Sequence, residues 1–376
     1  MEFIDLKAQY RRLKREIDSA IESVLSEAHF IGGEEVRQLE KRLAEYVGRK
    51  HCISCGSGTD ALQLVFMAYQ IGTGDAVFCP DMTFIASIEP AVMLGAVPVF
   101  CDIEPDTYNL SPQSLENHIR MVIEEGKVKP RAVVAVDFLG NPANFEEIEK
   151  ICDKYNLILI EDAAQATGAS YKGKKCSSFG DIATTSFFPS KPLGCFGDGG
   201  AVYTDNDQIA ELIRSLKVHG KGAKGKYDNV RIGMNSRLDT IQAAILLAKL
   251  TVLDEEIEMR QKVAKRYYSA FDGRLQTPGI TEGGISSYAQ FCVLAKNGRQ
   301  REKIITMMNQ ENIPSLLYYP NPLHSLKAFA PYPKDNMMNT RHYSECNFGL
   351  PFSPYLTEKD QEKVIDTVLN AITISV

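Results

Sequence analysis

Three groups of residues in this chain have the types and spacing for joint chemistry. The first is Lys191, set between Ser190 and Pro192 in "SFFPSKPLGCFGDGGA", residues 186–201. It follows an apolar segment and precedes a glycine-rich turn, so it is either a solvated loop lysine or an amine held for a carbonyl. The second is Glu161-Asp162, directly after the apolar run "LILI". A carboxylate ending a buried strand is costly unless paired; it reads as a helix cap, a structural ion pair, or a charge kept for a cationic partner. The third is "CGSGTDALQL", residues 55–64. Gly56 and Gly58 admit close backbone approach, Ser57 and Thr59 offer hydroxyls, and a helix starting near Gly58 turns free N–H groups and the positive end of its dipole toward the loop. This is an anion cradle, but it has neither the third glycine of G-x-G-x-x-G nor the Gly-Lys of a P-loop. Ser186 adds a hydroxyl just ahead of Lys191. Together the groups suit a cofactor with a phosphate at one end, a cationic ring atom at the other, and a carbonyl that a lysine can capture. Pyridoxal phosphate has those parts. Asp162 would keep the pyridine nitrogen protonated, and Lys191 would move a proton between substrate carbon and cofactor, a shuttle that contributes ~10²–10⁴-fold in rate.

The elements that must position these groups alternate along the chain. The first fifty or so residues read as helical, with Ile17, Ile21, Val24 and Leu25 on one face, a break at Gly32-Gly33, and a second helix bearing Val36, Leu39, Leu43 and Val47. Short apolar runs then alternate with helical patterns: "HCIS", "DAVFCP", "VPVFCDI", "RAVVAVDF", "LILIEDAA", "IATTSFF" and "GGAVYT". Strands alternating with helices predict an α/β fold, a mainly parallel sheet covered on both faces. Such sheets bind ligands beyond the carboxyl ends of their strands, where all three groups fall. A long helical stretch runs from Leu238 to Phe271 and turns from apolar to charged near Asp254. That places a boundary between a large domain, 1–253, and a smaller C-terminal α/β domain, 254–376. In the smaller domain "YAQFCVLA" and "SLLYYP" read as strands, "RQREKIITMMNQENI" as a helix, and Val364, Ile365, Val368 and Leu369 as the face of a last helix.

Bulk properties exclude other classes. With 376 residues, 44% of them hydrophobic and 24% charged, the chain is long and apolar enough for a globular core in two domains. A net charge of −6 argues against general nucleic-acid binding. The N-terminus is charged from its second residue, without a signal-peptide core, and no apolar run reaches membrane-span length, so a cytoplasmic protein with no membrane partner is expected. The nine cysteines sit mostly in apolar segments, as reduced buried thiols do. Cys52 and Cys55 form a C-x-x-C, but no second pair follows at zinc-like spacing, so no metal site is expected and both read as core residues of a strand end.

The blocks "GSGTDAL", "EDAAQATGASYKGKK", "TSFFPSKPLGCFGDGGA" and "NSRLDTIQAAIL" in combination resemble the DegT-type nucleotide-sugar aminotransferases, pyridoxal phosphate enzymes of fold-type I with a seven-stranded sheet. The resemblance runs from "FIDLKAQY" to the last helix. It implies that Lys191 links covalently to the cofactor and Asp162 pairs its ring nitrogen. Gln165 would sit against the ring, Phe84 would stack on it, and Gly58, Thr59 and Ser186 would bind its phosphate. Asn235 would reach the phosphate of a neighbouring subunit's cofactor, which makes the enzyme a homodimer with shared sites. The basic segment "KVHGKGAKGKYDNVRIGMNSR", residues 217–237, reads as a solvated loop or as a mobile arm for a diphosphate sugar, with His219 and Arg237 as substrate contacts; an arginine fork suits phosphate or carboxylate.

The variant around Lys191 looks most like the branch that aminates a sugar at C3, and within it like enzymes acting on UDP-2-acetamido-2-deoxy-3-oxo-glucuronate. The implied reaction has two stages. L-Glutamate leaves its amino group on the cofactor as pyridoxamine phosphate, and the group then passes to the keto sugar, in cell-surface polysaccharide or lipopolysaccharide biosynthesis. One departure stands out: those relatives often read His-Tyr-Pro where this chain reads Tyr318-Tyr319-Pro320, so Tyr318 and Tyr319 become the substrate candidates there. The alternative reading is C4 amination of a 4-keto-6-deoxy nucleotide sugar. From a different class, the fold could bind the cofactor in a regulatory protein without turnover.

Overall fold

A computed structural model describes residues 1–225 and 227–373; Lys226 of the basic segment lies outside the described residues. The seven apolar runs form one sheet. Its strands are β1 (His51–Cys55), β2 (Asp75–Pro80), β3 (Val97–Cys101), β4 (Lys129–Val136), β5 (Ile158–Asp162), β6 (Ile182–Ser186) and β7 (Gly200–Thr204), in the order β1-β7-β6-β5-β4-β2-β3. Both faces are covered. Along β4, Ala132, Val134 and Val136 face one apolar cluster with Leu62, Phe66 and Ile213, while Val133 and Ala135 face another with Ile119 and Ile148. Apolar residues on both sides are what a buried parallel strand requires.

Only β7 runs against its neighbours. Residues 187–199 connect β6 to β7 without a crossover helix, and such a direct return yields an antiparallel pair. It keeps Lys191 at the carboxyl edge of the sheet. The ends of β1, β5 and β6 share that edge, so Gly58, Asp162, Ser186 and Lys191 are neighbours although more than a hundred residues separate the first from the last.

The helices Leu6–Arg12, Lys14–Glu27 and Glu34–Val47 occupy the N-terminal region. Ile17 and Val24 are buried as the spacing predicts, whereas Leu25 is exposed, one position off the buried face. The long helical stretch is two helices, Thr240–Leu250 and Leu253–Phe271. At the break the Thr251 hydroxyl bonds back to the Ala248 carbonyl at 2.6 Å, and local bonding of this kind competes with the helical ladder. A second sheet pairs Phe291–Leu294 with Asn347–Leu350 in antiparallel fashion. "SLLYYP" is not a strand; among the described residues its ladder contact is a single bridge, Leu316 to Gly349. Pro314, Pro320 and Pro322 remove donors around it, so its pairing along the outer edge of Asn347–Leu350 does not extend beyond that bridge. Tyr267, Phe291, Ile304, Val364 and Val368 close a core over this sheet. The chain start joins it: Phe3 stacks on Tyr318 at 6.1 Å, and its carbonyl accepts the Phe352 N–H at 2.9 Å.

Candidate active site

The helix Gly58–Ala68 begins at the carboxyl end of β1. Ser57 caps it, accepting the Asp60 N–H at 3.0 Å, and leaves the first turn's other N–H groups turned to the loop. Gly58 lies against the end of β6, where a Cβ on it would come within 2.8 Å of the Ser186 Cβ. The absence of that carbon lets helix N–H groups, the Thr59 hydroxyl and Ser186 converge. The cradle is the floor of a cavity of about 440 Å³, which also takes in Phe84, Asp162, Gln165, Lys191, Tyr318 and Tyr319.

Asp162 closes β5 and is 4% exposed. Its Oδ2 accepts the Ser87 hydroxyl at 2.7 Å and its Oδ1 the Ala164 N–H at 3.2 Å. Thr83 in turn lies 2.9 Å from the Ser87 hydroxyl. Burial pushes the Asp162 carboxyl up from its ordinary value, while the Ser87 and Ala164 donors and the Lys191 charge pull it down. Lys191 faces Asp162 across the cavity. Burial pulls its amine down to about 8, and the Asp162 charge alone opposes that. The amine therefore reaches its neutral, nucleophilic form near physiological pH.

The upper wall is aromatic and amide. Phe84 is 54% exposed, facing the opening, with its ring 5.9 Å from that of Tyr319. Gln165 is buried; its Oε1 accepts the Leu139 N–H at 2.5 Å and its Nε2 donates to the Tyr319 hydroxyl at 3.2 Å. Tyr319 is thereby aimed by Gln165. The Asn347 side chain does the same for its neighbour, accepting the Tyr318 N–H at 3.2 Å and donating to the Tyr319 carbonyl at 3.2 Å.

Nine expected residues thus share one cavity: Gly58, Thr59, Phe84, Asp162, Gln165, Ser186, Lys191, Tyr318 and Tyr319. His219, Asn235 and Arg237 do not line it. All three are exposed, although Ser236 between the last two bonds to the cradle segment itself, accepting the Gly56 N–H at 3.0 Å and donating to Asp60 at 2.7 Å. The basic segment is more ordered by contacts than its glycines suggest. Gly220, at φ +67°, lies so close to Arg231 that a Cβ would stand 1.9 Å from its carbonyl oxygen. Lys217 turns inward to the Ser54 carbonyl at 2.5 Å and to Glu40 at 3.4 Å, and Arg231 bonds the Ser215 hydroxyl. Arg237 instead keeps its fork at the surface.

Sequence reasoning missed Thr83, Ser87 and Gln290. The first two flank Phe84 in "DMTFIAS", and nothing in their spacing shows that a buried carboxylate 75 residues away needs a donor. Gln290 lines the cavity with its Oε1 buried and unpartnered; a lone amide inside "YAQFCVLA" was its available signal. All nine cysteines are buried and free, Cys52 and Cys55 among them.

Residues 11–369 match the DegT/DnrJ/EryC1/StrS aminotransferase family. The chain is 45% identical over 357 residues to the UDP-2-acetamido-2-deoxy-3-oxo-D-glucuronate aminotransferase of Pseudomonas aeruginosa, spanning 95% of this chain and 96% of that protein. A crystal structure of a DegT DnrJ EryC1 StrS aminotransferase from Brucella abortus superposes with a TM-score of 0.96 at 42% identity, covering 100% of both chains. NtdA of Bacillus subtilis, solved with bound cofactor PMP, superposes with a TM-score of 0.88 at 26% identity, over 96% of this chain and 82% of that one. Alike nearly end to end in both sequence and fold, this chain belongs to the DegT/DnrJ/EryC1/StrS aminotransferase family.

Proposed function

We propose that this chain is a pyridoxal phosphate-dependent aminotransferase that passes the amino group of L-glutamate to C3 of UDP-2-acetamido-2-deoxy-3-oxo-glucuronate. The observation that carries the reading is one cavity with a lysine amine, a buried carboxylate facing it, and an anion cradle at its floor. The cofactor's parts match these groups in kind. The cradle at Gly58, Thr59 and Ser186 suits the phosphate, Asp162 the protonated ring nitrogen, and Lys191 the aldehyde carbon. When bound, pyridoxal phosphate supplies the electron sink for the pair left as a substrate Cα proton departs.

The remaining work falls to the chain. Asp162, held ionised by Ser87 and Ala164 against the cost of burial, keeps a proton on its partner nitrogen. Lys191, with its amine pulled down to about 8, takes the Cα proton as a base and returns it as an acid. Phe84 presents an apolar face over the ring position, and Gln165 and Tyr319 close the wall opposite solvent.

Asn235 and Arg237 stand outside their own chain's cavity, on a segment that also exposes Val230 and Ile232, while Phe84 and Phe188 are exposed at the cavity mouth. Exposed apolar side chains around a site are what a partner surface covers. This supports a homodimer in which each chain lends Asn235 to the partner's phosphate, and Arg237 and His219 to its sugar substrate. Among the described residues no helix is long and apolar enough to cross a membrane, and a cytoplasmic enzyme feeding cell-surface polysaccharide synthesis is consistent with that. We divide the chain into a large domain, 1–253, and a small one, 254–376; the separate core around Tyr267 and Phe291 supports the division. The purified protein, supplied with L-glutamate, should aminate the 3-oxo-glucuronate sugar far faster than a 4-keto-6-deoxy nucleotide sugar. The reverse preference would replace C3 by C4 as the position aminated.

A further inference from the structure

Behind Asp162, on the side away from the cavity, three groups have no role in the proposed reaction. Asp137 follows β4, Glu161 precedes Asp162 on β5, and Cys176 lies on the loop after β5. All are buried, and their ligating atoms lie within 4.8 Å of one another. The other ionisable groups acting on the trio are Tyr46, Asp162, Lys175 and Tyr203. The one cation among them, Lys175, is committed elsewhere, to Asp254 at 2.9 Å. Two adjacent buried carboxylates without a paired cation cannot both stay ionised.

The hydrogen bonds say where a proton would go. Both oxygens of Glu161 already accept backbone N–H groups, from Ser177 at 2.6 Å and Phe179 at 2.7 Å. Oδ1 of Asp137 accepts the Ala143 N–H at 2.9 Å, but its Oδ2 is buried with no nitrogen or oxygen donor, and only the weak S–H donor of Cys176 lies beside the carboxyl. An orphan oxygen beside a carboxylate that has only acceptor capacity left needs a hydrogen of its own. We propose that Asp137 and Glu161 share one proton, carried on Oδ2 of Asp137 and donated to Glu161, so that the pair holds a single negative charge and locks the end of β5 that positions Asp162. The Asp137 N–H also donates to the Asp162 carbonyl at 3.1 Å, which ties the pair to that residue's backbone. Asp137 is thus a positioning residue. Burial pushes both carboxyls up; Asp137 further raises the proton affinity of Glu161, the hydrogen bond between them lowers that of Asp137, and so the two titrate as a unit. The inference rests on the aminotransferase reading only for the use made of Asp162.

Infrared difference spectroscopy of the cofactor-loaded full chain tests it. Wild type at neutral pH should show the carbonyl stretch of a protonated carboxyl that shifts in D₂O and disappears in Asp137→Asn. The two amide variants should also differ. The amide introduced by Asp137→Asn can donate to Glu161 and still accept from Ala143, so that variant should melt like wild type at acid pH and at or above it at neutral pH. Glu161→Gln would turn an amide N–H against a backbone N–H, so it should melt several degrees lower. Asp137→Leu, which cannot donate, should melt lower too, separating the proton's role from bulk packing. Stability of the wild type should decline as pH rises above the ordinary carboxyl range, because a raised folded-state proton affinity stabilises below the unfolded pKa and is lost above it; in Asp137→Asn this decline should shrink. Absence of the band, the reverse ranking of the amide variants, or one equivalent of a divalent metal in the purified protein overturns the proposal. The band and the melting order are read whether or not the chain transfers amino groups, so their failure is distinct from failure of the functional reading.

Discussion

Replacing Asp162 with asparagine separates catalysis from stability more cleanly than any other single change. The side chain keeps its size, and the Ser87 hydroxyl 2.7 Å away can still bond to it, so the strand end has no steric reason to move. What disappears is a buried negative charge facing a bound cation. Breaking a buried ion pair by removing one partner costs about 3–5 kcal/mol. At roughly 1.4 kcal/mol per decade that is about 10²–10⁴-fold in rate. The same charge is unwelcome when no bound cation faces it: burial, only partly offset by Ser87, Ala164 and Lys191, raises the Asp162 carboxyl above its ordinary value. A raised folded-state pKa gives stability that is complete below the unfolded pKa and is lost as pH rises through the folded one. At neutral pH the cofactor-free wild type therefore carries a penalty that Asp162→Asn lacks. We expect the variant, stripped of cofactor, to melt at or above the wild-type temperature, with the gap widening from acid to neutral pH. Loaded, it should turn over glutamate in a single-turnover absorbance assay at about 10²–10⁴-fold lower rate. A rate within about tenfold of wild type, or a cofactor-free form that melts far lower, would refute the electrostatic argument.

Other changes test neighbouring parts of the site. Lys191→Ala should abolish transamination while leaving the fold intact by circular dichroism. In the wild-type apoprotein, the rate at which Lys191 captures pyridoxal phosphate should rise through pH of about 8, not through the ordinary lysine range; stopped-flow absorbance across pH reads this. Ser87→Ala removes a hydrogen bond to a charged group, worth about 1.5–3 kcal/mol, and should slow the glutamate half-reaction by roughly 10–100-fold. Gly58→Ala forces a methyl to within 2.8 Å of Ser186, costs about 1–3 kcal/mol of strain, and should weaken cofactor retention measured by dialysis. Mixed dimers of a Lys191→Ala chain with an Asn235→Ala chain should recover activity that neither homodimer has; no recovery would place Asn235 outside the shared site.

Much of this was legible in the sequence because it is written in local patterns. Period-two and continuous apolar runs identify all seven strands of the main sheet. Lys191, Asp162 and the cradle at Gly58 stand out because a charge at the end of an apolar run and a glycine-hydroxyl turn at a helix start each have a local physical reason. Local pattern misleads where two solutions compete at similar energy. "SLLYYP" is apolar enough for a strand but, flanked by prolines, makes one bridge to Asn347–Leu350, and the helix after Leu238 broke where Thr251 found a bond to Ala248. Tertiary structure alone decided that Ser87 serves Asp162, that Gln165 aims Tyr319, that Lys217 turns inward while Arg237 stays at the surface, and that Asp137 meets Glu161. Each is a pairing between residues far apart in the chain. Side-chain type states what bond a residue can make, but only the folded sheet, by bringing the ends of β1, β4, β5 and β6 to one edge, determines which partner is within reach.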